Sequence, residues 1–483
     1  VGASRAEDMS GVGGGAVGGR GGRRPVVAVI GGGVSGLAAA WELRRRTGSG
    51  TRILLLEAYG RLGGKLKTVD FDGGPVDMGA EAFLARREDF TRLIDDLGLS
   101  GDLVSPSGAR SAFFVDGELT DIPSATVMGV PAEGAAVAGV VSAEACRAVD
   151  AERDAEPLPW VPGDDVNVGQ LVGARFGREV VDRLVSPLLG GVYSCDADDL
   201  GLRATVPQLA EALDGLATAG RPVSLGAAVR EVLDARPAPA AGETRPPAFG
   251  ALRGGYRSLV RALAAGADAE IKLNTAVESI GRYRGGFYLE PVGEVDAVVV
   301  ATPAPTAAVL LADTVPDAAE ILSAVDLASS AVVGMRFDDA FLPDRSGVLI
   351  GTSGPTAAKA FTFSSRKWPH LGERGGDLVR ASFGSFGDDS LVEAPDDDLL
   401  GYALRDLRTV LGPCPDPAEI FVQRWWGGLP RYGVGHAELT GIARAAVDAV
   451  PGIALAGSFL DGVGVPACAV SGREAARSIA AEL

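Results

Sequence analysis

Gly31, Gly33 and Gly36 stand between the apolar run Val26–Ile30 and an alanine-rich segment, and an acid, Glu57, lies 21 residues past Gly36. This spacing suits phosphate binding. The first glycine permits a tight turn, the second lets backbone approach a pyrophosphate, and the third lets a helix pack close to a strand. Gly32, Val34 and Ser35 complete the turn. A helix that starts there presents unpaired N–H groups and the positive end of its dipole to the phosphates. An acid at the position of Glu57 accepts from a ribose hydroxyl and disfavours a 2′-phosphate. These residues imply an ADP-containing ligand and leave NAD and FAD undistinguished.

The elements that must hold this turn are legible around it. Val26–Ile30 reads as a buried strand, 35–46 as a helix and 51–57 as a second buried strand. A β-α-β unit of about 30 residues is what a parallel crossover requires. Downstream, "SAFFVDGELTDIP" reads as a hairpin about Asp116 and Gly117. Residues 125–215 are helical in pattern, with Pro187 and several glycines as breaks, and 235–248 reads as a Pro/Ala linker. Further strands occupy 330–430, and the chain closes on a strand, a glycine-rich loop and a helix.

The chain has 483 residues, 47% of them apolar, enough for more than one domain. Its net charge of -18 weighs against nonspecific nucleic-acid binding and obliges any anionic ligand to find a local basic pocket. Four dispersed cysteines and two histidines point away from a disulfide framework, a metal site and a histidine triad. No apolar run approaches the roughly 20 residues that span a bilayer. Residues 1–24 contain nine glycines and read as a disordered tail.

The segment "EAYGRLGGKLKT" follows the second strand. Its Gly63 and Gly64 let the chain pass near a cofactor, while Arg61 and Lys65 can balance phosphates. It resembles the R-x-G-G-R-x-x-[S/T] signature of the flavin amine-oxidase and protoporphyrinogen-oxidase superfamily, with Lys65 in place of the usual arginine. That resemblance selects FAD. The loop 461–466, with Pro466 suited to a first helical turn, is a second strand–loop–helix of the sort that closes an FAD site.

Four further blocks, "VDRLVSPLLGGVYSCDADDLGLRATVPQL", "FSSRKWPH", "RWWGGLPRYGVGH" and "GSFLDGVGVPACAVSGREAA", resemble the protoporphyrinogen/coproporphyrinogen oxidases of haem biosynthesis, in particular the soluble bacterial type. The similarity runs from residue 25 to the end. It implies an α/β (α+β overall) fold: a Rossmann-like FAD-binding domain of the amine-oxidase/glutathione-reductase type, a mixed-sheet substrate domain and a helical lobe. The expected segments are FAD-binding at 25–102, 216–303 and 441–483, substrate at 103–124 and 304–440, and helical at 125–215. The implied reaction removes six electrons from coproporphyrinogen III in three hydride transfers to FAD, with O2 reduced to hydrogen peroxide. No nucleophile is required, so no catalytic side chain is assigned.

Carried over by motif position, the cofactor residues are Gly31 to Gly36, then Glu57, Ala58, Arg61, Gly64 and Lys65. Gly79, Ala80, Glu81 and Ala82 pass near the flavin. Val277 contacts adenine, and Trp425, Val463, Gly464 and Val465 complete the set. Four propionates call for cations, and the candidates are Arg110, Arg366, Lys367 and Arg431. Tyr193 is a candidate wall of the macrocycle pocket. Mitochondrial-type relatives place an arginine where Glu81 aligns, so that anchor is not carried over.

The helical region, a membrane-associating lobe in some relatives, is acidic and alanine-rich here, which implies a soluble cytoplasmic protein. Protoporphyrinogen IX as the substrate, a flavin amine oxidase or desaturase, and a non-catalytic flavin-binding protein remain open, as does handover of product to a ferrochelatase.

Overall fold

The computed structural model describes residues 23–236 and 247–483. The tail expected at the N-terminus and most of the Pro/Ala linker therefore lie outside the described residues. The chain opens as its patterning requires: strand β1 (Val26–Ile30), helix α1 (Val34–Thr47) and strand β2 (Arg52–Leu56). Both strands are almost wholly buried, so they read as continuous apolar runs rather than alternating ones. They lie inside a parallel five-stranded sheet with Glu270–Lys272 beside β2, Ala297–Val300 beside β1, and Ile453–Leu455 beyond Ala297–Val300.

A helical lobe follows. The helix Val168–Phe176 stops at Gly177, whose φ of +89° carries the chain out of the helix. Pro187, expected as a break, is not one. The run from Arg178 continues into α2 (Ser186–Tyr193), and Val181–Val185 winds as a wider π-turn just before the proline. That turn accommodates the pyrrolidine ring and its missing N–H. The helices Pro207–Thr218 and Leu225–Asp234 pack into this same apolar core through Leu213, Leu216, Leu225 and Val229. Residues 216–234, expected in the FAD-binding part, are therefore part of the lobe.

The second sheet is mixed and seven-stranded. It contains β3 (Leu327–Phe337), β4 (Ala360–Phe363), β5 (Asp377–Phe383) and β6 (Glu419–Pro430) in the spatial order β6-β3-β5-β4, continued by Gly347–Ile350 and the hairpin of Ser111–Val115 and Glu118–Asp121. The hairpin turns at Asp116 and Gly117, both at positive φ, as the sequence predicts. One face of the sheet is sealed by α3 (Asp396–Leu411), which buries Leu399, Ala403 and Leu407 against Val333, Phe361 and Phe383. Residues 304–323, expected with the substrate part, instead form two helices packed on the five-stranded sheet. Their apolar patterns specify a buried face but not which core receives it.

The chain ends in α4 (Val465–Glu482), packed against α1. The contact is close because Gly472 has no side chain: a Cβ there would stand 1.9 Å from the Ser35 carbonyl oxygen. We expect Gly472→Ala to destabilise the fold by about 1–3 kcal/mol through overpacking, read as a lowered urea midpoint. An unchanged midpoint would place the two helices further apart than described.

Candidate functional site

The glycine turn is closed by protein at its first and third glycines and open at its second. A Cβ on Gly31, at φ +111°, would meet the Ala301 carbonyl oxygen at 2.4 Å, and one on Gly36 would meet the Gly31 carbonyl oxygen at 1.9 Å. At Gly33 the nearest atom is the Gly64 Cα, 3.9 Å away. Packing therefore demands Gly31 and Gly36, whereas the missing side chain of Gly33 faces open space where a pyrophosphate approaches. This opening is where the residues present fit an FAD. Leu37 is the amide that bonds back to the Gly33 carbonyl, 2.9 Å away. The amides of Val34, Ser35 and Gly36 before it have no partner within the helix and can serve an anion.

Glu57 is buried at the end of β2. Its carboxylate accepts from the Gly32 amide (2.7 Å) and the Tyr59 amide (2.8 Å), one on each oxygen. A carboxylate has about four lone-pair sites, so each oxygen keeps capacity for a ribose hydroxyl. The Thr275 amide donates to the Glu57 carbonyl (2.9 Å), which brings the half-buried Val277 alongside, while Ala58 stays exposed. Arg61 departs from expectation. Its guanidinium folds back to the carbonyls of Gly64 (2.6 Å) and Leu66 (2.9 Å) and so staples its own loop. Lys65 reaches across to the carbonyls of Trp426 (2.9 Å) and Gly427 (2.7 Å). Enclosure by the cleft walls pushes its pKa down to about 8.

The segment 78–82 lies against these residues. Trp425 donates from its indole to the Met78 carbonyl (2.9 Å), and a Cβ on Gly79 would collide with the Trp425 ring at 2.8 Å. Ala80 is exposed and Ala82 half-buried in the same segment. Val463, Gly464 and Val465 open α4, with Pro466 in its first turn as expected. Thus the structure brings together the turn, Glu57, Lys65, Gly79, Trp425 and the start of α4.

Glu81 is committed elsewhere. Burial alone would favour its neutral form, but Arg380 (2.7 Å) and Lys367 (2.6 Å) hold its pKa at about 2. Sequence reasoning missed Arg380. It sits at a buried position in β5 and also donates to the carbonyls of Asp77 (2.7 Å) and Gly79 (3.0 Å). A lone arginine inside the otherwise apolar and small run "DLVRASF" was the available signal. Asp77 was missed too. It receives the Tyr256 amide at the start of helix Tyr256–Ala267, and burial raises its pKa to about 6.

Among the substrate candidates, Arg110 is a correction: it is 81% exposed and faces Asp121 at 3.9 Å, a surface pair that water screens strongly. Arg366 turns toward Asp377 (3.4 Å) and Lys367 is taken by Glu81, so neither is free. Arg431 lies over the Phe386 ring at 4.7 Å and pairs with Asp326 (2.7 Å), with its Nε buried and unpartnered. Tyr193 packs 5.6 Å from Tyr432, whose hydroxyl donates to the Ser458 carbonyl (2.5 Å) just ahead of the α4 loop. His436 stacks on Tyr432 and bonds the Phe459 carbonyl, a local structural role.

Between these walls lies the second face of the seven-stranded sheet. On the face toward α3, Ala331, Val333, Phe361, Phe363, Ala381 and Phe383 are sealed. On the other, Ser330, Ala360, Thr362, Ser382 and Leu349 are small or of moderate size and partly exposed, although they belong to interior strands. Partial exposure at the centre of a sheet means open space against it. This open face lies beside α2, which packs on Gly347–Ile350, and beside Val463 at the opening of α4, and forms a cleft with them.

The profile of the flavin containing amine oxidoreductases matches residues 34–480. A coproporphyrinogen III oxidase of Mycobacterium leprae is 41% identical over 94% of this chain and 98% of its own length. A coproporphyrinogen III oxidase of Bacillus subtilis is 30% identical over 93% of this chain and 96% of its own length. A crystal structure of a putative protoporphyrinogen oxidase from Exiguobacterium sp. 255-15 superposes with a TM-score of 0.82 at 31% identity, covering 96% of this chain and all of that one.

Proposed function

The chain belongs to the flavin containing amine oxidoreductase family, and on that premise we propose that it oxidises coproporphyrinogen III to coproporphyrin III with O2 as acceptor. Bound FAD supplies a two-electron acceptor for the hydride of a meso carbon, used three times per macrocycle. Loss of six electrons and six protons from the porphyrinogen balances reduction of three O2 to three hydrogen peroxide.

The observation that carries the reading is the cleft. Its floor of small, partly exposed side chains leaves room for a macrocycle, and the Tyr193–Tyr432 pair supplies an aromatic wall. The residues of this chain bind and orient. The first amides of α1 and the bare backbone at Gly33 hold the diphosphate, and Glu57 holds the ribose. Lys65, Gly79 and Trp425 fix the segment that runs beside the ring system. Alignment of the reacting carbon and exclusion of bulk water then provide the rate, with no acid–base side chain demanded. Packing of the helices onto their cores supports segment boundaries near 235 and 325.

No helix among the described residues is long and apolar enough to cross a membrane, in keeping with work on a porphyrinogen delivered from solution in the cytoplasm. The test is aerobic turnover of coproporphyrinogen III by the FAD-loaded protein, followed by porphyrin fluorescence and a peroxide assay. Three peroxides per porphyrin are expected. Porphyrin formation no faster than autoxidation would remove the proposal.

A further inference from the structure

We propose that Lys359 is a carboxylate anchor of the cleft, holding one propionate of the substrate at the end of the macrocycle away from the cofactor. The inference rests on the function proposed above and goes on to name a binding residue for that site. Lys359 enters the sheet beside β4: its amide donates to the Ser382 carbonyl (2.9 Å), and its carbonyl accepts from the Ile350 amide (3.0 Å). Its ammonium reaches the helical lobe and donates to the Ser194 hydroxyl (2.8 Å) and the Gly384 carbonyl (2.7 Å). An ammonium has three N–H groups, so one is left.

Three further observations say what that N–H is for. Lys359 makes no ion pair within 4 Å with any described residue, in a chain of net charge -18. Yet protein surrounds it: burial pushes its pKa down to about 8, against the pull of the Cys195 thiol and Asp196. It is also not sealed, since the residue remains partly exposed. A cation that is enclosed, wetted and without a carboxylate in contact lies on the wall of an internal cleft, and a charge there is costly unless a ligand supplies the missing contact.

The location matches the ligand. Ser194 follows Tyr193, which packs on Tyr432, whose hydroxyl bonds Ser458 ahead of α4. Lys359 thus stands at the opposite end of the aromatic wall from the cofactor loop. The Phe386 amide bonds the Ser194 carbonyl (2.7 Å), and Arg431 lies over the Phe386 ring with its buried Nε unpartnered. Two cationic donors with spare N–H groups therefore flank Ser194 and Phe386. Asp196 and Asp199 also face this corner. Burial raises the pKa of both.

The experiment compares wild type, Lys359→Gln and Lys359→Arg, each with its FAD content measured, on coproporphyrinogen III (four propionates) and protoporphyrinogen IX (two). Lys359→Gln should raise KM for coproporphyrinogen III about tenfold, as loss of one charge-assisted contact does, with kcat within about twofold. The effect on protoporphyrinogen IX should be smaller, and Lys359→Arg should recover most of the loss. An unmoved KM in a variant of full FAD content overturns the anchor, as does an equal rise in KM for both substrates.

Binding of coproporphyrin III and of its tetramethyl ester to the wild-type protein, read by fluorescence, needs no variant: absence of preference for the free acid also overturns it. Wild-type turnover with an unmoved Lys359→Gln sinks the anchor alone. Absence of wild-type turnover sinks the proposed function and the anchor with it.

Discussion

Gly33→Ala is expected to give a folded protein that no longer retains FAD. The nearest protein atom to a Cβ at this position is 3.9 Å away, and α1 is capped there at φ -73°, a value any residue adopts. The added methyl group therefore costs the protein little by itself. What it fills is the opening through which the diphosphate meets the backbone and the free amides of α1. Flavin occupancy after gel filtration should fall at least about tenfold, while the urea midpoint should match that of deflavinated wild type. Gly36→Ala provides the contrast. Its Cβ would stand 1.9 Å from the Gly31 carbonyl oxygen, so that variant should lose stability before cofactor binding can be asked about. A Gly33→Ala protein carrying full flavin would show that the pyrophosphate lies elsewhere.

Arg380→Leu is expected to cost about 3–5 kcal/mol, the loss usual when one partner of a buried charge network is removed. Arg380 is buried in β5 and holds three acceptors of the cofactor segment: the carbonyls of Asp77 and Gly79 and the carboxylate of Glu81. Without it, Glu81 keeps Lys367 as its ion-pair partner, and two carbonyls of the segment beside the flavin lose a donor. The seven-stranded sheet then loses one of its polar ties to the cofactor segment, beside those made through Trp425 and Lys65.

The pH dependence follows from the lowered pKa of Glu81, about 2 against an ordinary 4.5. The stabilisation is present above 4.5 and is lost as pH falls toward 2. Removing Arg380 raises that pKa, so acid unfolding should begin at higher pH in the variant. Arg380→Lys should recover the charge but not all the bonds. Urea and acid titrations read both effects, and a change below about 1 kcal/mol would contradict the role assigned to the clamp.

How much of this was legible beforehand depended on the range of the interaction. The glycine turn, Glu57, the Asp116–Gly117 hairpin and the proline in the first turn of α4 are local: backbone geometry within a few residues demands those types, so type and spacing reveal them. The apolar face of helix 225–234 does not say that it packs with Leu213 and Leu216 rather than on the five-stranded sheet. Pro187 read as a break because a proline interrupts an ordinary helix; the π-turn ahead of it is a tertiary accommodation.

The cations show the limit most plainly. Arg110 and Arg380 are the same residue type flanked by similar residues. One faces water and the other ties β5 to the segment 77–81, a difference set by strand order that no window of sequence contains. Arg61 matched a motif, yet its side chain staples its own loop. Motif position located the loop correctly and left the direction of the guanidinium undetermined.

The central claim is that this flavoprotein oxidises a porphyrinogen of four propionates. Its most direct measurement is a side-by-side determination of kcat/KM for coproporphyrinogen III, protoporphyrinogen IX and a panel of primary amines, aerobically and with FAD saturating. The account predicts porphyrin from both porphyrinogens, a higher kcat/KM for coproporphyrinogen III, and no peroxide from the amines. A higher value for protoporphyrinogen IX would contradict the substrate assignment, and turnover confined to an amine would contradict the account as a whole.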